Sequence, residues 1–245
     1  MMIDIYSHIL LWDSSGAKHM PESLSIVRKA NEQGIKKIIA TPIMDVGNHK
    51  KDITEKVQEL NKLIRKEGIP VTIFPGQKVN LVDDVLTGFT QDHILPLNNF
   101  IFIELPTDHI PLNVRELFFD IQVRDYQIII SHPETNKLFI ENSDLLYEFV
   151  KNGAFIQLSA SSVVGKNGRK AQKFAREMIE ANLAHFVASN AKVNAGIYLE
   201  KAYEKIEKKF GIEKVYFFKE NTQAIIDNSS IMVEQPIRLR GKMKV

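Results

Sequence analysis

A chain of 245 residues, 44% hydrophobic and 25% charged, carries enough apolar material for one large core and excludes bulk disorder. Its 32 basic residues nearly cancel its 30 acidic ones, and a formal charge of +2 gives no electrostatic footprint for wrapping nucleic acid. Without cysteine there is no disulfide framework, thiol nucleophile or Cys-ligated zinc, so any metal must rest on histidines and carboxylates.

The apolar opening, residues 1–11, is interrupted by Asp4 and His8 and has no basic flank. It predicts neither a secretory signal nor a membrane span, and points to a soluble cytoplasmic protein. From there the chain repeats one phrase: a short β-branched or aromatic run, a polar turn, then a longer stretch with apolar residues three and four apart. Strand-like residues 3–6 precede a helix over 22–33, and 37–40 precede 54–67. Runs at 71–74 and 100–104 come before a helix over 114–124, and 127–131 before 144–152. The last two runs, 155–158 and 185–189, lead into helices over 169–181 and 196–210. Gly34, Gly68, Gly153 and Gly211 stand where helices end, a place that commonly needs positive φ. Seven parallel-type runs predict an α/β fold with a closed or nearly closed barrel, in one domain over 1–230. Residues 231–245, with Arg238, Arg240, Lys242 and Lys244, read as a solvated basic tail.

In a parallel α/β barrel, chemistry belongs at the carboxyl ends of the strands, where loops converge over a rigid floor. Those ends are polar here: Tyr6, Ser7 and His8; Thr41 and Pro42; Gln77 and Lys78; Glu104; Ser131 and His132; Ser189, Asn190, Ala191 and Lys192. One such residue is commonly structural, but polar groups recurring at several ends predict a common cleft. A serine of this set, Ser7, Ser131 or Ser189, can be paired on paper with His8 or His132 and Glu104, although no Gly-x-Ser-x-Gly elbow supports it.

Segments 2–18 (MIDIYSHILLWDSSGAK), 38–44 (IIATPIM), 74–79 (FPGQKV), 102–106 (FIELP), 117–122 (LFFDIQ), 130–134 (ISHPE) and 185–192 (HFVASNAK) run in one order. In that order they resemble the manganese-dependent bacterial tyrosine phosphatases of the polymerase-and-histidinol-phosphatase (PHP) type, the CpsB-, CapC- and YwqE-like proteins of capsule and exopolysaccharide loci. The resemblance implies a distorted (β/α)7 TIM-like barrel. It also implies a cluster of metal ions on His, Glu and Asp that activates a water and binds the phosphate of a phosphotyrosyl substrate.

Most positions that would hold those metals are substituted. The His-x-His opening is Tyr6-Ser7-His8, and the paired aspartates before a glycine are Ser14 and Ser15 before Gly16, with Asp13 at an apolar position of the family. Thr-Pro-His-His has become Thr41-Pro42-Ile43-Met44, and the Glu of Gly-Gln-Glu is Lys78. Ser-Asp-Ala-His reads Ser189-Asn190-Ala191-Lys192; the Arg of His-Pro-Glu-Arg is Thr135; and an Arg-Pro-Phe segment is missing near Ala195 and Gly196. His8, Glu104 and His132 are the intact ligand positions. A set of two histidines and one carboxylate holds a divalent metal when its geometry converges.

Putting Lys where a carboxylate stood sets a positive charge where a cation was held. Lys78 and Lys192 are thus expected to replace metal charge, with Lys78 in salt-bridge reach of Glu104, against the plainer expectation that both face solvent. The scaffold residues Gly16, Thr41, Pro42, Gly76, Gln77 and Pro133 stay family-like, so the fold is expected to survive without metal. The resulting expectation is a catalytically degenerate phosphatase-like protein that acts by binding, with no cofactor. The alternative is a weak or altered phosphatase with manganese or another divalent metal on His8, Glu104 and His132. The partners implied are a bacterial tyrosine kinase tail or a related phosphatase, with oligomerisation left open. Trp12 is expected either to plug the emptied cleft or to form a contact surface.

Overall fold

The computed structural model describes residues 1–10, 17–44, 50–81, 95–106, 109–192 and 196–239. Its strands are β1 (Met2–Ser7), β2 (Ile35–Ala40), β3 (Thr72–Pro75), β4 (Lys78–Asn80), β5 (Phe100–Glu104), β6 (Gln127–Ser131), β7 (Phe155–Ser159) and β8 (Phe186–Ala188). All pairings between these strands are parallel, in the orders β1-β2-β3 and β4-β5-β6-β7-β8. Parallel strands need long crossovers, and the helices that provide them cover the outer face of the sheet.

Two seams join the ladders. At the first, the chain beyond β2 pairs with β4: Lys78 N–H donates to Pro42 O (2.9 Å) and Met44 N–H to Lys78 O (2.8 Å). At the second, His8 N–H donates to Ala191 O (3.0 Å) and Asn190 N–H to Tyr6 O (3.1 Å), so β1 meets the end of β8. The sheet thereby returns on itself, and if β3 and β4 count as one broken strand, the order is that of the expected seven-stranded barrel.

The run expected at 71–74 is β3, and β4 is a further piece beyond a break that the sequence did not mark. Gly76 lies against β2, where an added Cβ would stand 2.7 Å from Ile39 Cγ2 and 3.1 Å from Ala40 O. Only glycine permits so close an approach, and the strand resumes at Lys78 on a new line.

Alternation along each strand divides the core in two. Ile3, Ile5, Ile39, Phe100, Phe102, Ile129 and Phe186 form an inner cluster, whereas Ile38, Ile101, Ile103, Ile128, Ile130 and Val187 face the helices. A period of two does this without further instruction.

The longer helices are α1 (Met20–Glu32), α2 (Lys50–Lys66), α3 (Val114–Val123), with two shorter ones, α4 (Lys137–Glu141) and α5 (Ser143–Lys151), after β6. A one-turn α6 (Ala160–Val164), then α7 (Arg169–Glu180), α8 (Leu199–Phe210) and α9 (Ile212–Asp227) complete the set. The sequence did not mark α9. Its stripe is blurred, because polar Asn221 and Thr222 are buried on it while Tyr216 is exposed. Ile225 enters the inner cluster, and Ile226 and Ile231 pack against it. No described helix is long and apolar enough to cross a membrane.

Residues 231–239 lie along the barrel. Met232 N–H donates to Asn221 Oδ1 (2.8 Å), Ile237 N–H to Ala181 O (2.8 Å), and Glu234 pairs with Lys214. Arg238, expected in a solvated basic tail, bonds Asp144 at 3.0 Å and lies over the Tyr147 ring. Arg240, Lys242 and Lys244 lie outside the described residues.

Candidate functional site at the carboxyl ends of the strands

Side chains from three other strand ends converge on one carboxylate. Glu104 ends β5, and its Oε2 accepts from Lys78 Nζ at 2.6 Å and from Tyr6 Oη at 3.0 Å. Its Oε1 meets His132 Nε2 at 3.1 Å. Tyr6 comes from β1, Lys78 from β4 and His132 from the residue after β6, so the knot closes across the barrel mouth. The Tyr6 ring stands edge-on to both imidazoles, 5.6 Å from His8 and 5.5 Å from His132 between centroids.

Local backbone sets these directions. Lys78 is gripped through both its N–H and C=O by residues 42 and 44, which fixes its Cα beside the seam. At Ile43, where the family has an imidazole, the backbone bridges to Lys78. His132 sits at φ 39, in the left-handed region, and its N–H donates to Gln157 O at 2.7 Å. A non-glycine residue there costs of order 1 kcal/mol and is held by its surroundings. Thr135, in place of the family's Arg, turns its hydroxyl back onto His132 O at 2.9 Å and so caps that turn.

Burial by itself would push the Glu104 carboxyl up. The hydrogen bond and charge of His132, with the charge and hydrogen bond of Lys78, outweigh it and hold the carboxyl well below the usual carboxylate range. The Lys78 side chain is only 7% exposed, so its ammonium is committed to this pair.

A divalent cation asks for converging lone pairs. Here the oxygen best placed for one already receives an ammonium and a phenol, and the third retained ligand, His8, bonds through Nε2 to Asn190 Oδ1 at 3.0 Å. Among the described residues no three His, Asp or Glu side chains gather in an arrangement able to hold an ion. The donor set as it stands fits an ammonium and does not fit a divalent metal unless Lys78 is displaced.

The other expected residues divide. Lys192 is exposed and forms no ion pair with a described residue, so it does not share the charge-replacing role expected of it. It follows Asn190, at φ 52, and Ala191, which is buried and still paired with β1. None of the three candidate serines joins a histidine: Ser189 Oγ donates to Asp4, and the hydroxyls of Ser7 and Ser131 are buried without a partner among the described residues. Trp12, Asp13, Ser14, Ser15 and Gly16 lie outside the described residues, as does Ala195.

Two buried acids were not singled out by sequence. Asp4, on β1, accepts from Ser189 N–H (2.8 Å), from the Ser189 hydroxyl and from Tyr6 N–H (3.4 Å), clasping the seam between β1 and β8. Burial, opposed by those bonds, pushes its carboxyl up to about 6. Glu134 accepts from Ser159 N–H at 2.9 Å, and burial raises its carboxyl too. Asp4 breaking the apolar opening run was the available signal; for Glu134 the signal was its place right after the His-Pro pair.

A family model described as capsular polysaccharide synthesis, CpsB/CapC, matches residues 2–227. The tyrosine-protein phosphatase YwqE of Bacillus subtilis is 37% identical, over 98% of each chain. The putative tyrosine-protein phosphatase CapC of Staphylococcus aureus is 31% identical, over 96% of this chain and 95% of the other. Among solved structures, one from a study of YwqE from Bacillus subtilis and CpsB from Streptococcus pneumoniae, described as unique metal-dependent tyrosine phosphatases, superposes with a TM-score of 0.92. It is 36% identical and the match covers 98% of this chain and 100% of that one.

Proposed function

Because this chain belongs to the CpsB/CapC family of capsular polysaccharide synthesis, we propose that it keeps the family's barrel and acts as a catalytically degenerate binding or regulatory protein. The observation that carries this reading is the Lys78 ammonium 2.6 Å from Glu104, a tethered cation where the resemblance implies a metal-binding carboxylate. A fixed ammonium neutralises the half-buried carboxylate but has no open coordination position to offer a water or a phosphate. What remains is a paired polar cluster beside a cavity lined by Glu104, Ser131, His132, Thr135 and Asn136, where a partner group would be held. The partner chemistry that the family suggests is a tyrosine-bearing tail of a bacterial kinase, or a related phosphatase, in the cytoplasm.

A second reading is a weak or altered metal-dependent protein-tyrosine phosphatase, with manganese or another divalent ion on His8, Glu104 and His132. The relatives weigh on its side, since YwqE, CapC and CpsB all carry the name of tyrosine-protein phosphatase. It requires Lys78 to swing out of its pair and His8 to leave Asn190. Turnover of a phosphotyrosyl peptide with excess manganese separates the two. The first reading expects a rate equal to the blank, because losing several cooperating ligands costs orders of magnitude. Manganese-dependent turnover abolished by His132→Ala establishes the second.

A further inference from the structure

The chain is acid-free over an unusual length. Between Phe149 and Arg176 it carries Lys151, Lys166, Arg169, Lys170, Lys173 and Arg176 and not one Asp or Glu, in a protein whose charges otherwise nearly balance. Lys166, Arg169 and Lys170 fall in the loop after α6 and the first turn of α7, which itself contains no acid. All three are exposed, and among the described residues none pairs with a carboxylate.

Topology puts this loop at the mouth. It follows the carboxyl end of β7, next to β8, whose own end leads into exposed Lys192; β7 and β8 are parallel neighbours, so both segments rise from the same rim. Glu134, two residues from His132, bonds the backbone of Ser159, the residue before α6. The loop is also braced. Gly165 and Gly168 take φ 93 and 91, Asn167 Nδ2 donates to Ser162 Oγ (2.9 Å), and Gln172 Nε2 donates to Val163 O (3.1 Å). The Lys166 ammonium rests 5.9 Å above the Tyr198 ring. Rigid, uncompensated charge is the form that attracts an opposite charge at least ordering cost.

We infer that Lys166, Arg169, Lys170 and Lys192 form an electrostatic docking rim for a carboxylate-rich polypeptide segment of a partner. A polypeptide fits better than a nucleic acid: the cationic stretch is short, the net charge is near zero, and the nearby ring of Tyr198 is covered by Lys166 instead of open for base stacking. The inference deepens the binding reading by naming what the rim would hold.

The test is fluorescence anisotropy of a short labelled oligoglutamate at low ionic strength, with oligothymidylate and oligolysine as comparison probes. Wild-type protein should bind oligoglutamate, lose it as salt rises, and bind the other two more weakly. The Lys166→Glu/Lys170→Glu variant should bind roughly tenfold more weakly, while Lys62→Glu/Lys66→Glu, an equal charge change on exposed α2 positions, should bind as wild type. Equal weakening in both variants, no weakening in either, or tighter binding of oligothymidylate overturns the inference. Phosphotyrosine turnover fails or succeeds independently of these results, so loss of the rim and loss of the binding reading are told apart.

Discussion

Two carboxylates in one barrel, Glu104 half-buried and Asp4 fully buried, titrate in opposite directions. Glu104 is surrounded by groups that carry or can carry positive charge, and its carboxyl is held low; Asp4 is surrounded by amide and hydroxyl donors, and burial pushes it up to about 6. Neutral hydrogen bonds satisfy lone pairs but supply no charge, so they offset only part of the desolvation. A carboxylate in such a pocket needs a cation beside it if it is to stay ionised, and Lys78 provides one. Asp4, which holds strands together, functions without one.

The sharpest way to break that contrast is Lys78→Glu. It restores the residue that the family resemblance implies but places two carboxylates together in a pocket without metal. The expected loss is about 3–5 kcal/mol of stability at neutral pH, the scale for breaking a buried pair. The loss should shrink on acidification as one of the carboxylates protonates. Denaturant melts over a pH series measure it, and an unchanged midpoint at neutral pH would leave the site eroded instead of rebuilt.

A second experiment sharpens the Asp4 side. Its folded value of about 6 lies above the 3.8 of an unburied aspartate, so its contribution is fully present below pH 3.8 and lost as pH rises through 6. The size is about 3 kcal/mol, from 1.36 kcal/mol per unit. His185 runs against it. Burial, with the nearby charge of Lys214, lowers this imidazole to about 4, and its Nδ1 accepts Ile156 N–H at 3.1 Å. Its stabilising share is present above pH 6.5 and lost as pH falls toward 4. The stability of wild type minus that of Asp4→Asn should rise as pH falls from about 6 to about 4, because His185 and all other groups cancel in the difference. A difference that stays flat means that Asp4 is not the titrating group.

The smallest effect belongs to Tyr6→Phe, which deletes one donor to Glu104 and leaves Lys78 and His132 in place. It should cost about 1 kcal/mol. A loss as large as that of Lys78→Glu would show that the phenol, not the ammonium, holds the carboxylate.

The sequence carried much of this arrangement. Period-two runs marked the strands, and the polar residues at their ends marked the mouth, because both follow from the backbone's own geometry. Lys78 facing Glu104 was legible as a charge argument: a buried carboxylate deprived of a cation calls in another. Lys192 escaped the same argument: it stands exposed just past the seam between β1 and β8, and residue type alone does not disclose on which side of that seam a lysine falls. The split of the third strand at Gly76 and the entry of α9 into the inner cluster also depend on contacts between distant segments. Asp4 needed its long-range partner, Ser189, before its role at the seam was visible.

The central claim is that the Lys78 ammonium occupies the role of a metal. It is tested most directly by loading the protein with excess manganese, exchanging it into metal-free buffer, and measuring retained metal by elemental analysis. The account predicts none above the level of a His132→Ala control. Close to one equivalent retained by wild type and lost in that control would contradict it.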